Sequence, residues 1–111
     1  MEFTFTSLEK KAITKVMIDL AHADNTITVG ENAYFEQIVQ ILGITPDEFQ
    51  EAQLLSVIGC LSVLRGMSLD NKNALLFIMR EMINIDSSVH EEEMNIFLVV
   101  CQGADLPVPQ K

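Results

Sequence analysis

Basic residues are scarce in this chain: seven Lys and Arg stand against 16 Asp and Glu, giving a formal charge of −9. Such a surface repels phosphate backbones and anionic headgroups over about a Debye length, which sets nucleic acid and membrane surfaces aside as direct partners. A neutral or basic protein, or a cation, is what the charge admits. Cysteine is equally sparse. Cys60 and Cys101 have no Cys-x-x-Cys spacing and sit inside apolar runs, the setting of buried free thiols rather than of a redox pair or a zinc ribbon. Five Gly and three Pro are too few for a collagen-like or disordered chain. The longest apolar stretch, LLSVIGCLSVL at 54–64, falls short of the roughly 20 residues a membrane-spanning helix needs, so no direct membrane insertion is expected. The first residues, MEFTFTSLEKK, lack a basic region followed by an apolar one, and a cytoplasmic location is the expectation.

Catalytic signatures are missing as well. There is no Gly-x-Ser-x-Gly and no Gly-rich phosphate loop, and no oriented base can be named beside a nucleophile. The expectation is a non-enzymatic protein with no catalytic residues and no certain cofactor.

What is present is a helical pattern. At 111 residues and 49% hydrophobic, the chain suits one domain able to bury its own core, placed at 1–105, with an extended tail at 106–111 that carries two prolines. Thr6-x-x-Glu9 has the form of a capping box ahead of Ala12, Ile13, Val16, Met17 and Leu20, which recur at helical spacing to about residue 23. Thr28-x-x-Glu31 opens a second helix over about 29–42, and Gly43 is placed for a left-handed end. Thr45, Pro46 and Glu48 start a short third helix. The apolar run to Leu64 reads as a fourth, hydrophobic nearly all round and therefore expected in the middle of the fold. A fifth spans about 69–84 and a sixth about 90–102, closed by Gly103. The fold class is all-α, a bundle of about six helices.

Shifting the sequence by 62 places Ala12 on Ala74, Ile13 on Leu75, Val16 on Ile78, Met17 on Met79, Asp24 on Asp86, Ile27 on Val89, Glu31 on Glu93 and Phe35 on Phe97. Loop letters agree in phase with core letters, which points to an internal repeat of a helical hairpin with two helices inserted between the copies. The stretches LAHADNTITVGENAYF (20–35) and MINIDSSVHEEEMNIF (82–97) resemble the tellurite-resistance TerB-like family, whose all-helical fold also occurs in DnaJ-like co-chaperones. Asn25 and Ser87 stand where that family usually has glycine after the aspartate, and Ile85 stands where the first copy has Ala23. The resemblance implies a stress-response interaction domain and divalent-metal binding through the acidic positions.

Two chemistries fit those positions. In the first, Asp24 and Asp86 accept bonds from loop amides, while Glu31 and Glu93 meet the positive ends of helix dipoles. In the second, Asp24, Glu31, Asp86 and Glu93 offer oxygen ligands to calcium or magnesium, with Asp19, His22 and Glu81 as further candidates, since Asp19-x-x-His22-x-Asp24 corresponds to Glu81-x-x-Asn84-x-Asp86. The spacing is not that of an EF-hand, because the twelfth position from Asp24 is Phe35. The apolar excess, with six Met, favours a protein partner or a homodimer. A metal-dependent enzyme and a purely structural or oligomeric domain are the alternatives.

Overall fold

The computed structural model describes residues 5–22, 29–85 and 91–107. Among them are six helices: α1 (Ser7–Ala21), α2 (Val29–Leu42), α3 (Pro46–Gln53), α4 (Val57–Arg65), α5 (Leu69–Asn84) and α6 (Glu91–Gly103). No strand occurs among the described residues, and none of their helices is long and apolar enough to cross a membrane.

Local chemistry sets most of the boundaries. Thr6 accepts from the Glu9 amide at 3.1 Å while Glu9 accepts from the Thr6 amide at 2.9 Å, the reciprocal box expected from the sequence. Thr45 and Glu48 repeat that geometry at α3, behind Pro46. Ser56 and Ser68 cap α4 and α5 through the amides of Gly59 and Asn71. Thr28, the expected cap of α2, lies outside the described residues.

α1 is the central element, packing against all the others. Its Ile13, Met17 and Leu20 are fully buried with Leu75, Met79 and Met82 of α5 and Leu64 of α4. The expectation that α4 would occupy the middle is corrected: only Cys60 and Leu64 of that helix are buried, whereas Ile58 is 82% exposed and Leu54, which lies in the turn before the helix, 85%. An all-round apolar helix needs cover on every side, and within this chain α4 has α1 on one side and α6 on another.

The repeat is visible in backbone geometry. Gly43 has φ 68° and Asp105, 62 residues later, φ 54°. Ile44 N–H donates to Val39 O at 3.0 Å, and Leu106 N–H donates to Cys101 O at the same distance; Gly43 to Gln40 (3.2 Å) is matched by Asp105 to Gln102 (3.4 Å). Both hairpins therefore end in a Schellman cap with a buried aliphatic, Ile44 or Leu106, closing it. The core thus extends to Leu106, one residue into the expected tail. Gly103 ends α6 as expected, and it also serves packing: a Cβ there would lie 2.7 Å from a Leu61 methyl.

The copies also pack reciprocally. α1 meets α6 as α2 meets α5, and the equivalent residues Glu9 and Asn71 face each other at 3.5 Å. Residues that meet their own counterparts lie near an approximate two-fold axis, as at an isologous interface.

Candidate functional site

The acidic positions fall in unlike surroundings. Glu31 and Glu93, in the first turns of α2 and α6, are 4% and 3% exposed. Asp24 and Asp86 lie outside the described residues. Asp19 pairs with Lys15 at 3.2 Å, one turn back on α1. His22 is the exposed C-cap residue of that helix. Glu81 is exposed on α5 and acts on Tyr34 of α2, whose hydroxyl is pushed up to about 12 by burial first and by that carboxylate second. The hydroxyl is buried with no hydrogen-bond partner among the described residues. No group of three or more His, Cys, Asp or Glu among the described residues is placed to hold a metal ion.

Asp19 and His22 instead border a groove that sequence reasoning missed. It lies between α1, α4 and α6, measures about 460 Å³, and is walled by Val57, Cys60 and Leu61 from α4 and by Ile96, Val99 and Val100 from α6. Its rim on α1 carries Lys15, Asp19 and His22. The signal that could have found it is α4 itself, with more apolar faces than one packed neighbour can cover. Leu54 and Ile58, outside that lining, expose further apolar surface on and just before α4.

Both thiols are buried and quiet. Burial, followed by the Asp19 carboxylate, raises Cys60 to about 11, and its Sγ donates to Ala12 O at 3.3 Å. Burial likewise raises Cys101 to about 11. Thiols so protonated are poor nucleophiles at neutral pH, in keeping with the inert buried role expected for them.

A second groove of about 410 Å³ lies between α1, α2 and α3, where Phe35 and Phe49 meet with ring centroids 5.8 Å apart. His22 borders both grooves. Here α3 is tied to α1 by Lys11–Glu51 at 3.2 Å and by Ser7 Oγ, which donates to Glu48. That bond from Ser7, with the Thr45 amide next, holds the Glu48 carboxyl below its ordinary value.

No family model matches the chain, and no curated protein matches it. Among solved structures it is similar to a protein of unknown function, PG1108, from Porphyromonas gingivalis W83, with TM-score 0.78 and 18% identity over 97% of this chain and 90% of that one. A likeness at that identity concerns the fold alone: a second protein of quite different sequence has a similar arrangement.

Proposed function

We propose that this protein works by contact, as a non-enzymatic helical interaction module of the TerB-like kind serving a stress response such as tellurite resistance, in the cytoplasm. The observation that carries the reading is α4: an apolar helix at the surface, with Leu54, Val57 and Ile58 exposed beside an apolar groove. Contiguous exposed apolar surface of this kind marks interaction sites in soluble proteins. The quiet thiols give catalysis no support. The test is affinity capture with the wild-type chain beside Ile58→Asp, an exposed position where the change leaves folding intact. A partner recovered by the first and lost by the second supports the reading; identical recoveries, or none from a strictly monomeric protein, contradict it.

A second reading, a divalent cation at the duplicated acidic bends, is favoured by the deep burial of Glu31 and Glu93. Buried carboxylates are held by hydrogen bonds, by opposite charges or by metal. Glu31 and Glu93, with Asp24 and Asp86, would supply oxygen ligands to calcium or magnesium. Titration with calcium, magnesium and zinc while following the thermal midpoint tests it, because a ligand of the folded form raises that midpoint. No shift at saturating metal, or the same shift after Asp24→Ala with Asp86→Ala, removes the cation and leaves capping as the role of these side chains.

A further inference from the structure

The walls of the groove restrict what can fill it. No sheet edge exists among the described residues to receive an added strand, the lining has no aromatic ring to grip a proline-rich segment, and no cluster of arginines stands there to read a phosphate. What the walls do present is the ridged surface of helices, with aliphatic side chains from α4 and α6 facing an opening of about 460 Å³. This is the shape that takes the apolar stripe of another helix.

Charge then selects among helices. Lys15 at the rim is engaged by Asp19, and α4 contributes no charge before Arg65 at its last turn. α6 opens with Glu91, Glu92 and Glu93, of which Glu91 and Glu92 are exposed. Glu92 lies one turn before Asn95 and Ile96, on the side of α6 that lines the groove. A second copy of this chain would bring its own −9 to this rim, and like charges across an interface suppress association.

We propose that the groove between α1, α4 and α6 takes a basic amphipathic helix of a partner protein, its apolar stripe against Leu61, Ile96 and Val99 and its Lys or Arg side chains toward Glu91 and Glu92. The proposal rests on the contact reading above and adds the chemistry of the partner to it. Apolar burial supplies the affinity, while the rim charges set the on-rate and the dependence on salt.

The experiment uses the full chain and two synthetic helical peptides with the same leucine stripe, one with lysines and one with glutamates on its polar face. Binding is followed by fluorescence anisotropy at low and physiological salt. The lysine peptide binds, weakens as salt rises, and loses at least about tenfold affinity to Val99→Asp, a deficit of about 1.4 kcal/mol or more. That substitution adds negative charge, so cationic attraction unconnected with the groove would strengthen or stay the same; either result overturns the proposal. Leu69→Asp on α5 serves as the control and leaves affinity unchanged. Both changes are at exposed positions, and circular-dichroism melts confirm the fold. Equal binding of the glutamate peptide, lost in Val99→Asp, overturns the charge assignment while the contact reading stands. No binding by either peptide also overturns the proposal, and the capture experiment then decides the contact reading by itself. A concentration-dependent dimer abolished by Val99→Asp overturns it in favour of a second copy.

Discussion

The hairpin α1–α2 and its counterpart α5–α6 share caps, core positions and backbone ends, yet of their equivalent first helices only α1 is sheathed. The α1 face formed by Ser7, Lys11, Lys15, Ile18 and His22 lies against α3 or lines the groove they share. The corresponding face of α5, Leu69, Asn73, Phe77, Arg80 and Asn84, is exposed along its whole length. α3 and α4 lean on α1, α4 also meets α6, and neither makes a comparable contact with α5. Duplication explains the frame, and the inserted helices explain the asymmetry. The groove lies where the insertion borders the second copy.

Core substitutions test this comparison most strongly. Met17→Ala and Met79→Ala, at equivalent and fully buried positions, each destabilise by about 2–5 kcal/mol in urea unfolding. Phe77→Ala, at the exposed position matching Lys15, stays within about 0.5 kcal/mol. A large loss at Phe77 would mean that α5 is covered after all.

The two left-handed caps carry opposite signs. Gly43→Ala places a Cβ at φ 68° and costs about 1–2 kcal/mol, whereas Asp105→Gly relieves a non-glycine residue at φ 54° and gains up to about 1 kcal/mol. Thermal midpoints moving the same way in both variants would refute the matched caps. At the other ends, Thr6→Ala and Ser68→Ala each cost about 1 kcal/mol, and Thr6 costs the more because Glu9 answers it while Asn71 follows Ser68.

The smallest effects are pH-dependent and belong to the sheathed half. Glu48 has a depressed folded value, so its contribution is present above the ordinary glutamate value and is lost as pH falls through the folded one. Ser7→Ala flattens this acid limb in urea midpoints, and Leu69→Ala, at the matching position, leaves it alone. Tyr34 runs the other way: its contribution is full below the ordinary tyrosine value and is lost as pH rises toward about 12. Tyr34→Phe abolishes that alkaline limb, since Ile96, its counterpart, has nothing to titrate.

Most of the fold was legible because its local signals agree with one another. The Thr6 and Thr45 boxes, Pro46, Gly43 and the apolar spacing of α5 each point to the boundary observed. α4 misled because hydrophobicity all round a helix states that its faces need cover without saying where the cover comes from. Its start was misplaced because Ser56, a cap in the middle of an apolar run, outranks the leucines before it. Asp105 was overlooked as a left-handed position, although applying the 62-residue shift to Gly43 leads straight to it. Of the candidate site, the sequence found carboxylates at matching turns, but neither their burial nor the groove was legible in it. Its walls come from three helices distant in sequence, and no periodicity within one helix records that meeting.

Hydrogen–deuterium exchange of the full chain, with and without the lysine-faced helical peptide, tests the working surface most directly. Slowed exchange in α4 and α6, with α5 unchanged from Leu69 to Asn84, is the expected pattern. Protection centred on α5, with α4 and α6 exchanging as before, would contradict the account.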